Sequence, residues 1–252
     1  MEATAVSGLQ AESRDFYVWM AGVFVLIAFG GFMPTYWLKV ATGTFHGAPI
    51  FHVHGFLLFS WTCFFFVQTA LVAAGRTLDH RTWGLAGIGL FSVMMCSILI
   101  GVLAAIKRDE AQGFGDAARR FSAVSLCQWP LLAGFFVVAI ANIKKPQVHK
   151  RLMLLLMVGL MTPALARVFL TLFAPPGAGA QPPAPFVSVP PALVAALLLV
   201  VPIVRDWRNL GRVHPVYLYG GSILLAQQML AVPIAATAAW MHIAKAFESL
   251  AG

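Results

Sequence analysis

Residues 49–75 read PIFHVHGFLLFSWTCFFFVQTALVAAG, a stretch without a single Asp, Glu, Lys or Arg. About 20 apolar residues wound as an α-helix already cross a hydrocarbon core of roughly 30 Å, so this segment is long enough to be a membrane span. The same absence of charge recurs over Phe16–Leu38, Thr82–Ile106, Phe121–Ile143 and Val168–Val204. Across its 252 residues the chain is 60% hydrophobic and 10% charged. A soluble domain carries roughly 45–50% apolar and about 25% charged residues, so a water-soluble globule is excluded.

Seven helices fit the pattern, at about 16–38, 48–74, 82–106, 120–143, 149–173, 186–205 and 214–244. The fold class expected is therefore all-α, a polytopic membrane helix bundle with about seven transmembrane helices. A short polar segment (1–15) precedes a single transmembrane domain (16–245), and a short tail (246–252) follows it. The first apolar run follows Glu12, Arg14 and Asp15 and is itself long enough to span, which reads as a retained first helix rather than a cleaved signal. Between the fifth and sixth helices, Ala174–Pro185 (APPGAGAQPPAP) is a Pro/Gly linker expected at the membrane surface.

The net charge is +8, but the Lys and Arg sit almost entirely in the connections, where they report topology and anionic headgroups rather than nucleic acid. With seven spans, ten Lys and Arg share the side of the N-terminus and six lie on the other. That asymmetry predicts a cytoplasmic N-terminus in a multi-pass protein of the bacterial inner membrane. Trp19, Trp83 and Trp207 mark one interface, Trp37 and Trp240 the other. Cys63, Cys96 and Cys127 lie in apolar segments without metal-site spacing and read as small core residues.

Polar residues inside spans are costly and tend to face the bundle interior, so they are the candidate functional positions. On the second helix, His54, Trp61 and Gln68 recur every seven residues, a drift of only about 20° per step, and share one face. This face is either a channel or cofactor wall, or a helix interface that uses Trp and Gln as hydrogen-bonding glue. His149 and Arg167 on the fifth helix also share a face, near opposite surfaces. Arg167 either snorkels outward or faces inward onto an anion; with no acidic residue in any expected span, a buried protein carboxylate is excluded as its partner.

His80, His149 and His214 occupy one end of the bundle, while His46, His52, His54 and His242 lie toward the other. Two such groups would suit haem or another metal held by imidazoles, and they would equally suit plain interfacial polarity. Gln228 lies nearly on the face of His214, and Gln128 and Gln227 are also at mid-membrane. The glycine pairs 30–31 and 220–221 allow close helix approach. No phosphate loop, nucleophile elbow or H-E-x-x-H is present, and the third and seventh helices lack what a retinal pump needs.

The motifs HGFLLFSW (54–61), VQTALVAAGR (67–76), HRTWG (80–84), HKRLM (149–153) and HPVYLYGG (214–221), with Arg167, resemble those of an uncharacterised family of bacterial seven-helix membrane proteins. The resemblance covers about 50–245 and implies a common site at His54, Trp61, Gln68, His80, Arg81, His149, Arg151, Arg167 and His214. A more distant likeness is to cytochrome b-type bundles, whose bis-His spacings are not matched.

Two functions follow as expectations. One is a bundle that binds a lipid or hydrophobic small molecule, or serves as accessory subunit among other membrane subunits. The other is a membrane redox protein binding haem b or a quinone between the second, third, fifth and seventh helices. The candidate binding residues for either are His54, Trp61, Gln68, His80, His149, Arg167, His214 and Gln228.

Overall fold

The computed structural model describes residues 2–175 and 181–250. Positions 176–180 of the Pro/Gly linker lie outside the described residues. Helix is the only regular secondary structure among the described residues, and seven helical segments are long and apolar enough to cross a membrane: Asp15–Ala41, Pro49–Ala73, Thr77–Ala111, Gly115–Ala141, Pro146–Phe173, Pro185–Leu210 and Val216–Ala236. They are called here the first to seventh spans. This is the expected seven-helix bundle, and the protein is a multi-pass membrane protein.

Several helices run past their apolar runs. The third begins at Thr77 and the sixth continues to Leu210, so polar end turns that hydropathy assigns to loops are helical. The sixth stops at Gly211, whose φ of 68° is a left-handed conformation that favours glycine at a helix C-terminus. The seventh ends earlier than expected. It is not one helix over 214–244: Thr237 is extended (ψ 150°) and its hydroxyl accepts from Trp240 N at 3.1 Å, starting a separate terminal helix, Ala238–Ser249. Pro233 one turn earlier has no N–H to give the ladder, and the Thr237 cap offers the backbone a better end than a continued helix.

The packing order is a closed ring. The first span packs on the second, the second on the third, the third on the fourth, the fourth on the fifth and the fifth on the first. The sixth and seventh spans close a second ring that shares the fourth and fifth. The shared fifth span is accordingly the most enclosed: Leu154, Leu155, Leu156, Met157 and Val158 are all fully buried. At mid-height the first ring is filled by aromatic rings, with Phe91 stacked on Phe136 at 3.8 Å and Trp61 against both.

Small residues set the approach distances. A Cβ at Gly31 would meet Ala164 O at 2.5 Å, and one at Gly220 would meet Leu155 Cδ2 at 2.3 Å. Outward faces are apolar because lipid, not water, covers them. This explains a departure from expectation: Cys63 and Cys96 are exposed on the bundle surface rather than in its core. Trp19, Trp83 and Trp207 are exposed as interface residues should be, whereas Trp240 is buried and donates Nε1–H to Arg119 O at 2.8 Å.

The terminal helix is held to the bundle by charge. Arg119 is buried and pairs with Glu110, with Asp116 at 3.0 Å and with Glu248 at 2.8 Å. The hydrogen bond from Arg119 keeps the Glu248 carboxyl below its ordinary value of 4.5, against the opposing effect of burial. A carboxylate depressed on folding adds stability above its unfolded pKa and loses it as pH falls through the folded value. Acidification below about pH 4.5 is therefore expected to loosen the terminal helix. The check is the Trp240 emission, taken as the difference between wild type and Trp240→Phe. It should shift to the red over that window and stay constant above it, with Glu248→Gln abolishing the transition.

Candidate functional site

At the end of the first ring that bears the N-terminus, three predicted residues come together from three spans. Gln68 closes the second span, His80 opens the third and His149 opens the fifth. The His80 and His149 rings lie 6.4 Å apart, edge to face at 74°. His149 Nδ1–H donates to Ala139 O of the fourth span at 2.9 Å, which leaves Nε2 with its lone pair free. His80 Nδ1 is buried without a hydrogen-bond partner.

Gln68 is the anomaly of the site. It is 7% exposed, yet neither its Nε2 nor its Oε1 has a partner, and the Nε1 of Trp61 one register above is equally unsatisfied. A buried amide left without partners costs on the order of 1–3 kcal/mol per group, and native proteins rarely leave such groups empty-handed. Gln128, by contrast, donates to Gly159 O at 2.9 Å. The Gln68 backbone hydrogen-bonds the His80 ring, which faces His149, and about two turns above Gln68 on the same helix Trp61 packs against Phe91 and Phe136.

The remaining predicted residues are elsewhere. His54 is in the opposite half of the same ring. The hydroxyl of Ser97 donates to Met94 O at 2.7 Å, so its oxygen accepts from His54 Nδ1–H at 3.0 Å. Arg167 is exposed near the far end of the fifth span, its guanidinium over the Phe32 ring at 5.7 Å. Gln228 lies in the second ring, where its Nε2 donates to Thr162 Oγ1 at 3.2 Å and its Oε1 is unpartnered. The seventh span is therefore not a wall of the ring that holds His80 and His149, and a common site across the second, third, fifth and seventh helices does not form.

His214 belongs to a different group, which sequence reasoning largely missed. Arg151 and Asp206, 4% and 5% exposed, form a two-pronged ion pair with contacts of 2.8 and 2.5 Å. Arg151 also donates to Gln147 O and Oε1 and lies 5.9 Å from the centre of the Tyr217 ring. Lys150 sits over Tyr17 at 4.8 Å and Arg205 over Phe16 at 4.5 Å. Burial pushes the His214 imidazole below its ordinary value of 6.5, Arg151 pushes the same way, and Asp206 opposes them. The expectation that no span contains a carboxylate is corrected: Asp206 lies in the last helical turns of the sixth span, and its partner is Arg151, not Arg167. The signal available was the aspartate one residue after the expected helix end.

Among the described residues no group of three or more His, Cys, Asp or Glu is placed to hold a metal ion. A groove of about 850 Å³ runs between the fourth and fifth spans and the linker, walled by Arg120, Phe169, Phe173 and Phe186; none of the predicted site residues lines it. No protein-family model, curated protein or solved structure matches this chain.

Proposed function

We propose that this protein acts by binding: the Gln68, His80 and His149 side chains take the polar head of a lipid or hydrophobic small molecule, which supplies the hydrogen bonds that Gln68 lacks. The observation that carries this reading is the buried, wholly unpartnered Gln68 amide beside two imidazoles, each with a nitrogen free. Sites for such ligands are mostly apolar with a few convergent polar groups, which is the composition here. The charge asymmetry of its connections supports a bacterial inner-membrane protein with a cytoplasmic N-terminus, an orientation in which Gln68, His80 and His149 face the cytoplasmic end. The motifs that resemble the uncharacterised bacterial family include Gln68, His80 and His149, and an accessory role beside other membrane subunits is compatible with ligand binding.

A second reading, redox chemistry with haem b or a quinone, is favoured by one feature. A backbone carbonyl that fixes the Nδ1–H of His149 is the arrangement that orients metal-ligating imidazoles. A quinone would instead offer carbonyl oxygens to Gln68 Nε2.

Gln68→Leu separates binding from architecture. Exchanging an unpartnered amide for an apolar side chain of similar size removes a desolvation cost, so the variant stripped of lipid is expected to melt at a temperature equal to or above that of wild type. The same variant is expected to lose the bound molecule recovered by solvent extraction of wild-type protein. A wild-type extract identical to that of Gln68→Leu would remove the binding reading. An absorption spectrum that gains a haem band on dithionite reduction would move the assignment to the second.

A further inference from the structure

Arg119, Arg151 and Arg108 each have a carboxylate: Arg119 has three, Arg151 has Asp206, and Arg108 has Asp109 at 2.7 Å. Arg167 differs. Among the described residues it has no carboxylate within ion-pair distance, and its guanidinium lies on Phe32. It precedes the helix end at Phe173 by six residues, about 9 Å along the axis, which places an uncompensated charge within the apolar length of the span.

Arg167 and Arg108 are both exposed at this end of the bundle. Arg108 lies over Phe51 of the second span at 5.8 Å. It also falls about three turns from Ser97 on the same face of the third span, the face whose Ser97 hydrogen-bonds His54 and whose Gly101 would set a Cβ 3.9 Å from the His54 ring. Phe32 ends the regular helix of the first span, and the π-helical turn Met33–Trp37 follows it. Within that turn Thr35 Oγ1 and Trp37 Nε1 are buried without partners. Two guanidiniums, one already neutralised by Asp109, and two idle polar groups thus stand at the end of the first ring opposite Gln68.

We propose that this end of the bundle binds an anionic group, a phosphate or a carboxylate, with Arg167 as its principal contact and Arg108 as its second. The guanidinium fork matches both anions with two parallel hydrogen bonds, and the Phe32 ring beneath it holds its plane. The anion offsets the cost of the lone charge in the span. It is either the head of a membrane lipid or a free solute, and the site is independent of the Gln68 cluster.

The test has two arms. Detergent-purified protein stripped of lipid is titrated with inorganic phosphate and followed by thermal unfolding. In parallel, protein in nanodiscs of phosphatidylcholine with or without phosphatidylglycerol is analysed by native mass spectrometry for retained lipid. Wild type is expected to respond in at least one arm, and Arg167→Gln to bind about tenfold more weakly, the loss expected for one hydrogen bond to a charged group. Response to phosphate alone assigns a free anion, retention of phosphatidylglycerol alone assigns a headgroup, and both together assign a site that reads the phosphate wherever it resides. If Arg167→Gln does not fold, Arg167→Lys keeps the charge, loses the fork and still binds several-fold more weakly. Silence in both arms, or equal binding by wild type and the folded variant, overturns the proposal.

Discussion

Asp206→Ala is expected to destabilise the bundle by about 3–5 kcal/mol, the cost of leaving a buried charge without its partner. Arg151 is 4% exposed and has a two-pronged contact to Asp206, with Gln147 taking its remaining nitrogen. Removing the carboxylate strands the guanidinium between the fifth and sixth spans, where among the described residues no other acid lies within ion-pair distance of it. The pair as a whole is worth much less than this, because both ions gave up their hydration to form it. The double variant Arg151→Leu/Asp206→Leu should therefore recover most of the loss. Thermal unfolding in detergent, followed by circular dichroism, checks both: a large fall for the single variant and a near-wild-type midpoint for the double. Equal losses in the two would mean that the pair stabilises directly.

Gly31→Ala is expected to cost about 1–3 kcal/mol, the range for overpacking a tight contact. The added Cβ would sit 2.5 Å from Ala164 O and 2.8 Å from Ala164 C, backbone atoms that no side-chain rotation can move. The first span must then part from the fifth, which opens the ring at its closing contact. Gly30→Ala is the matched control, since nothing lies within 4 Å of its Cβ position. There the exchange should be neutral or slightly stabilising, because alanine holds a helix better than glycine does. The same unfolding assay on both variants separates crowding from helix propensity.

These two sites also show what the sequence made legible. Charge-free runs located the first four spans and the sixth, and the glycine pair 30–31 announced a close approach, because both are local properties. The seven-residue spacing placed His54, Trp61 and Gln68 on one face that turns inward, as the burial of Trp61 and Gln68 shows. Hydropathy, however, measures the bilayer and not the helix. It ended the sixth helix at 205 and so excluded Asp206, which the continued helix carries back into the bundle beside Arg151. Which helices close into a ring depends on packing that no single segment encodes. That His80 meets His149, that Gln228 bonds Thr162 in another ring and that Trp240 is buried against Arg119 could only follow from the fold.

The proposed function requires that Gln68 have a partner that is not part of this chain. Native mass spectrometry of the protein released from its own membrane, with wild type and Gln68→Leu prepared identically, tests this directly. The predicted result is a wild-type peak displaced by the mass of one discrete small molecule and a Gln68→Leu peak at the mass of the bare chain. Bare chain in both preparations would contradict it.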